Sequence, residues 1–338
     1  MFPILKLPSV ALQKILDIFG IQDLILLSLC SSRTYLIVKM TRSMTTGLKL
    51  CADCIHHTIR LPSMDESDIL LGAVNYDHNW VNIKGYVKIR GRKVYIGEVP
   101  YRNRNGNTPH MATFWNNPIY GLQELMHYLR DLFRVDIHLI HFNRNSLWIL
   151  DWIQKIQNGV QVVETEKDVP LSFREYEKVI KNCNAKELCL YAYPKKSYKY
   201  TGGLNDREHI HIFYGEWLTL ENVLDINAPD IIVERSKLTY TDLNQLLKKW
   251  FAGGFSKLKY LSLGLGKTAW DPVIAVLHGL IFIGLNVETK PRKTYYRQYK
   301  WNHDFKDNKE LQRCDGKTAS IQVTPESFTL AVWPDSSA

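Results

Sequence analysis

The chain has 338 residues, of which 45% are apolar and 23% charged. Those fractions exclude a disordered, collagenous or wholly coiled-coil chain, and the length suits about two domains or one long repeat array. With 43 Lys and Arg against 34 Asp and Glu the formal net charge is +9, so nucleic acid and acidic partners have to be tested against the local pattern.

Residues 1–45 read as three short helices. Leu12, Ile15, Leu16 and Phe19 follow Pro8 at helical spacing, with Ser9 placed to cap the run and Gly20 to end it. Asp23 is placed to cap a second run, Leu24 to Leu29, and a third, with Leu36, Ile37 and Met40, starts after Ser31 or Ser32. Helices this short and apolar cannot bury their own side chains, so part of their surface has to meet another domain or another protein.

Cys51, Cys54, His56 and His57 place four soft ligands close together. Structural zinc ordinarily draws its second ligand pair from farther along the chain, and adjacent histidines make poor simultaneous ligands. The set reads as two reduced cysteines near a helix end. Six cysteines in all are too few for a disulfide scaffold and suit an intracellular protein, cytoplasmic or nuclear.

Residues 46–120 read as a β-rich connecting segment. From Gly72 to Trp115 the period drops to two: Trp80 to Lys84, Val87 to Arg90 and Lys93 to Ile96 are strand-like. A turn is placed at Gly91-Arg92 and a polar loop at Asn103 to Asn107. Over 121–338 strand-like and helix-like runs alternate, with strands centred near His138, Val162, Cys189, His211, Ile232 and Leu261. Steps of 21 to 29 residues are those of leucine-rich-type repeats, one strand and one helix per turn. Ser172 to Glu175 has the form of a capping box ahead of Tyr176, Val179, Ile180 and Cys183. Thr239 to Asp242 opens a helix with Leu243, Leu246, Leu247, Trp250 and Phe251, stopped by Gly253-Gly254.

Leu258, Leu261 and Leu263 give the best leucine-rich match, but Gly266 stands where the stacking asparagine belongs. The fold class is therefore mixed α/β: three helices, a small β-rich segment, then a degenerate leucine-rich-repeat-like array, with plain α/β layering left open. The longest uncharged apolar stretch, Pro272 to Val287, has 16 residues. A bilayer crossing needs about 20, so this stretch reads as a core helix running into a strand, and no membrane partner is expected.

Motifs of chemistry are weak. Two Gly-Lys-Thr triplets, at Gly266 to Thr268 and Gly316 to Thr318, have Leu261 and Leu311 where a phosphate loop needs its first glycine. His209 and His211 share one face of a strand, with no carboxylate or third His at a telling spacing, and read as a half-exposed strand face. No paired acid and base and no Gly-x-Ser-x-Gly elbow appears, so no catalysis, metal or cofactor is expected.

Basic charge is local. Lys84, Lys88, Arg90, Arg92, Lys93, Arg102 and Arg104 have Glu98 as the one acid among them. Residues 290–300 carry five bases interleaved with Tyr295, Tyr296 and Tyr299, and Lys195, Lys196 and Lys199 sit beside Tyr193, Tyr198 and Tyr200. Such clusters can hold single-stranded nucleic acid or an acidic or phosphorylated protein. The candidate target-binding residues are Lys88, Arg90, Arg92, Arg102, Arg104, Lys195, Lys196, Arg292, Lys293 and Arg297.

Phe2 to Pro8, Ile15-Leu16, Asp23-Leu24, Leu27 to Ser31 and Arg33 together resemble an F-box, in particular that of the large nematode families. The resemblance covers residues 2–42. It departs from the general pattern in lacking an acidic residue soon after Leu7-Pro8 and in having Arg33 where a Trp is common. Trp217 to Leu224, Asp242 to Trp250 and Leu258 to Leu263 are similar to the F-box-associated domain of those families, over about 214–270. The segment from Asp315 to Thr318 through Val332-Trp333 is similar to how such chains end.

The two resemblances imply a non-catalytic substrate-recognition subunit of an SCF-type cullin ubiquitin ligase. It would dock to a Skp-type adaptor through the F-box and to an unidentified protein target through the repeat domain. They make Leu7, Pro8, Leu12, Ile15, Leu16, Phe19, Leu24 and Leu27 the candidates for adaptor contact or its immediate support. The rival reading is an intracellular scaffold or nucleic-acid-binding protein using the clusters at 84–104 and 290–300.

Overall fold

The computed structural model describes residues 7–40, 47–62, 69–75, 82–103, 106–195, 198–200, 202–204, 207–266, 276–278, 286–289, 294–295, 302–305, 309–313 and 315–334. The chain divides into two compact units, Met1–Gln161 and Val162–Ala338.

The first unit opens with α1 (Ser9–Leu16), α2 (Ile21–Cys30) and α3 (Ser32–Met40). Helix α1 starts one residue ahead of the expected cap: Pro8 holds the N-cap position, with φ −56° and ψ 146° and no side-chain cap bond. Gly20, expected to end α1, instead caps α2, which puts Asp23 in the first turn of α2. Its negative charge there meets the positive end of the helix dipole. Ser31 and Thr34 close a reciprocal cap on α3: Thr34 N donates to Ser31 Oγ at 3.1 Å and Ser31 N to Thr34 Oγ1 at 2.9 Å.

Then follow β1 (Leu50–Asp53), β2 (Thr58–Leu61), β3 (Ile69–Asn75), β4 (Asn82–Ile89), β5 (Arg92–Asn103), β6 (Gly106–Trp115), α4 (Pro118–Phe133), β7 (Ile137–Phe142) and α5 (Trp148–Ile156). The strands lie in the order β7-β1-β2-β3-β6-β5-β4. The pairs β7/β1 and β3/β6 are parallel and the others antiparallel. The β4–β5 hairpin turns at Arg90-Gly91, one residue before the expected position. Both residues have positive φ, 47° and 83°, the backbone of a tight turn whose twist matches the strands and which favours glycine at its second place.

Helix α4 packs across β2, β3 and β6, and α3 packs on α4 while α2 meets β4. Two polar contacts fix the helices there. The hydroxyls of Ser28 and Tyr128 share a buried hydrogen bond of 2.7 Å. Asp131 accepts from Lys39 Nζ at 2.5 Å and from the Tyr35 hydroxyl. Part of the surplus apolar surface of the N-terminal helices is thus covered by the chain itself.

In the second unit β8 (Val160–Thr165), β9 (Pro170–Leu171), α6 (Phe173–Asn182), β10 (Ala185–Leu190), β11 (Tyr193–Pro194), β12 (His209–Ile212), α7 (Leu220–Asp225), β13 (Asp230–Val233), α8 (Tyr240–Phe251) and β14 (Tyr260–Gly264) come first. Strands β10, β12, β13 and β14 are neighbours and parallel, with Glu187, His209, Asp230 and Tyr260 side by side in one register row. All six expected strand centres fall inside β7, β8, β10, β12, β13 and β14. Leu188, Ile210, Ile231 and Leu261 make one fully buried row, and Leu190, Ile212, Val233 and Leu263 the next.

The expected capping box at Ser172 forms, and the helix expected to open at Thr239 starts with one too. Ser172 N donates to Glu175 Oε2 at 2.7 Å, and Thr239 N to Asp242 Oδ2 at 2.7 Å. Between β10 and β12 the described residues hold no helix, and Arg207 completes the packing instead. Its guanidinium donates to the carbonyls of Ile180, Cys183 and Ala185 at 3.1, 2.9 and 2.6 Å, which satisfies groups the end of α6 leaves open.

The elements β15 (Asn286–Thr289), β16 (Thr294–Tyr295), β17 (His303–Asp304), β18 (Lys309–Gln312), β19 (Thr318–Val323) and β20 (Ser327–Val332) end the chain. Antiparallel pairing in the order β14-β20-β19-β18-β15 closes the edge that β14 would otherwise present. Most of the apolar stretch from Pro272 to Val287 lies outside the described residues; its end opens β15. Among the described residues no helix is long and apolar enough to cross a membrane.

Candidate functional site

The candidate adaptor-contact residues divide by burial. Leu16 and Leu24 are fully buried, Leu7, Leu12, Ile15, Phe19 and Leu27 are half-buried, and Pro8 is exposed. A second set, not among those candidates, is far more open: Val10, Ile18, Leu36 and Met40 are 67%, 83%, 56% and 76% exposed. Leu36 and Met40 stand four residues apart on α3 and therefore on one helix face. Exposed apolar residues gathered on α1, on the turn that follows it and on α3 are the feature expected of a contact surface.

The basic candidates are less free than their sequence suggests. Arg90 lies 3.5 Å from Glu124, and Lys84 lies 3.4 Å from Glu98. Arg92 sits over the Tyr120 ring at 4.9 Å and Lys93 over the Tyr86 ring at 4.1 Å. Lys88 and Arg90 do come together, in a cleft of about 650 Å³ that they share with Ser28 to Ser32, Tyr35 and Asp131. Lys195 lines a different cleft, in the second unit. Arg102 lies in β5, its side chain outside the described residues, and Arg104, Lys196, Arg292, Lys293 and Arg297 fall outside them altogether.

Cys51 and Cys54 are both buried, and they stand in β1 and at the head of the turn into β2 rather than near a helix end. Burial pushes the Cys54 thiol well above its ordinary range. Among the described residues no group of three or more His, Cys, Asp and Glu is arranged to hold a metal.

Asp53 organises this turn. Its Oδ1 accepts from Ile55 N at 3.0 Å and His56 N at 3.2 Å, and its Oδ2 lies 3.0 Å from His56 Nδ1. Burial alone would raise the carboxyl, but hydrogen bonds from His141 and His56 outweigh it and hold Asp53 well below the carboxylate range. The folded pKa is then below the unfolded value of 3.8. The stabilisation is complete above that value and lost as pH falls beneath it. Asp53→Asn is accordingly expected to flatten the fall in Tm between about pH 5 and pH 2.5; a slope equal to that of the wild type would show that Asp53 is not the group responsible.

His209 and His211 have carboxylate partners after all. His209 Nδ1 lies 2.9 Å from Asp230 Oδ1 in a buried pair, and His211 Nε2 lies 2.9 Å from Glu234 Oε1. The Tyr191 hydroxyl reaches His211 Nδ1 at 3.3 Å. Asp230 is one repeat step beyond His209, and the parallel register sets the two side by side. The sequence signal was the repeat period itself, applied to the histidines as well as to the strands.

A family model described as F-box domain matches residues 4–45, and one described as F-box associated matches residues 204–263. This is an F-box protein with a C-terminal F-box-associated domain. No curated protein and no solved structure matches the chain. The pairing of these modules supports a ubiquitin-ligase-type role, and F-box proteins are generally non-catalytic adaptors. In this F-box protein the first match holds α1 to α3 with their open apolar side chains. The second holds β12, α7, β13, α8 and β14 with the paired histidines.

Proposed function

We propose that this F-box protein is the substrate-recognition subunit of an SCF-type cullin ubiquitin ligase. Residues 1–45 dock to a Skp-type adaptor, residues 46–120 connect, and residues 121–338 hold the protein to be ubiquitinated. The observation that supports this reading most is the open apolar surface of the F-box. Val10, Ile18, Leu36 and Met40 stay exposed although α2 and α3 are anchored on β4 and α4. Pro8, Leu7, Leu12, Ile15, Phe19 and Leu27 extend that contact, with buried Leu16 and Leu24 as its support.

The chain contributes no chemistry of its own in this role. It raises the effective concentration of target lysines near the ligase. Co-expression with a Skp-type adaptor, followed by size-exclusion chromatography, tests the reading. A single stoichiometric peak is expected; two separate peaks from folded proteins would remove it.

A further inference from the structure

Three neighbouring parallel strands, β10, β12 and β13, release their chains at the same edge of the second unit. Crevices outside the carboxyl ends of parallel strands are where such sheets receive ligands. The loops here enclose a cleft of about 730 Å³ lined by Lys195, Lys199 and Lys237, by Trp217 and Leu218, and by a single carboxylate, Glu216. The three lysines are exposed, and none forms an ion pair with another described residue.

The wall formed by Tyr214 to Trp217 is fixed before any ligand arrives. Gly215 N donates to Glu234 O at 2.9 Å, and a Cβ at Gly215 would meet Val233 Cγ1 at 2.3 Å, so only glycine lets this loop lie against β13. Tyr214 is held by the Tyr193 ring at 5.3 Å, by the Arg235 guanidinium over its face at 4.8 Å, and by its hydroxyl donating to Asp168. Trp217 packs edge-on against Tyr198 and Tyr176 at 5.1 and 5.6 Å. A site ordered in advance loses little freedom on binding.

We propose that this cleft receives an acidic peptide segment carrying an apolar side chain. The proposal rests on the substrate-recognition reading and gives the target its chemistry. Lysines with no ion-pair partner among the described residues call for anionic groups, and the half-buried Tyr193, Pro194 and Tyr214 offer an apolar contact beside them. Alternate side chains of an extended strand stand about 7 Å apart on one face, which lets carboxylates reach the lysines while a leucine or similar side chain meets Pro194 and the Tyr193 ring. Single-stranded nucleic acid fits less well. It needs open ring faces on which bases can stack, whereas Tyr198 and Trp217 are 6% and 7% exposed, and the half-buried Tyr193 and Tyr214 pack on each other with the Arg235 guanidinium over the Tyr214 face. Glu216 also interrupts any continuous track for a phosphate backbone.

The test uses the full chain and fluorescence anisotropy with a labelled peptide of about eight residues, extended reach about 27 Å, made of glutamates around one leucine. Saturable binding is expected. The triple variant Lys195→Glu, Lys199→Glu, Lys237→Glu should weaken it about tenfold, and Lys155→Glu with Lys257→Glu, exposed positions outside this cleft, should leave it unchanged. Replacing the peptide's leucine by serine should also weaken it. The proposal is overturned by no binding, by equal affinity of the triple variant with its circular dichroism unchanged, or by oligo-dT binding more tightly than the peptide. Adaptor co-purification run in parallel separates the two readings: peptide binding without adaptor binding upholds the cleft and removes the ligase role.

Discussion

Tyr176→Ala is expected to destabilise the second unit by about 3–5 kcal/mol, the range for truncating a buried aromatic to alanine. Tyr176 is fully buried and is among the largest such side chains in the molecule. It stands on α6, where the Ser172–Glu175 capping box fixes the first turn and leaves Tyr176, Val179 and Ile180 on the inner face. Its ring meets Tyr198 at 5.1 Å and Trp217 at 5.6 Å, and both of those rings belong to the wall of the lysine-lined cleft. Removing Tyr176 leaves a void that these rigid rings cannot fill without leaving their positions. Tyr176→Phe keeps the ring volume and should cost less than about 1.5 kcal/mol. Urea unfolding followed by tryptophan fluorescence checks both values, and equal losses from the two variants would refute the cavity account. The same pair couples fold to recognition, since Tyr176→Ala should weaken acidic-peptide binding more than Tyr176→Phe.

What the sequence carries is mostly local. Capping boxes at Ser172 and Thr239 and the β4–β5 turn are written in residues a few places apart, and each lies in the structure at or within one position of where the pattern puts it. The six strands of the repeat are legible for a related reason: their spacing repeats. The long helix α4, which the alternating pattern over 121–338 does not single out, has Leu122, Leu125, Met126, Leu129, Leu132 and Phe133 at helical spacing behind Pro118. Strands β1 and β2 have four residues each, and β1 is buried at all four, so no period-two alternation marks it.

Pairings between distant residues are a different matter. Composition counts Arg90 and Lys84 as free positive charge, but Glu124 and Glu98 reach them only once α4 and the hairpin are in place. Likewise the open face of the F-box cannot be read from periodicity. A helical stripe shows which residues are apolar, and it is tertiary packing, of α2 on α3 and β4 and of α3 on α4 among others, that decides which of them stay covered. Hence Leu16 and Leu24, prominent in the pattern, are buried, while Ile18 and Leu36 are left in solvent.

That division yields the second large effect. Ile18→Asp together with Leu36→Asp is expected to weaken adaptor binding by at least about 2 kcal/mol, or about thirtyfold, because each carboxylate would be desolvated without a partner in an apolar contact. The free chain should tolerate both changes within about 0.5 kcal/mol, as exposed positions usually do. Leu24→Ala is the opposite case. Its side chain is 2% exposed, so truncation should cost about 2–5 kcal/mol of stability, and a loss of adaptor binding there would report on folding rather than contact. Titration calorimetry of the adaptor against the double variant, with thermal unfolding of the same sample, separates these cases. A folded double variant that binds the adaptor as tightly as the wild type would place the docking surface elsewhere than on the open faces of α1 to α3. In that case the half-buried set, Leu7, Leu12, Ile15, Phe19 and Leu27, has to provide it through the part of each side chain left open.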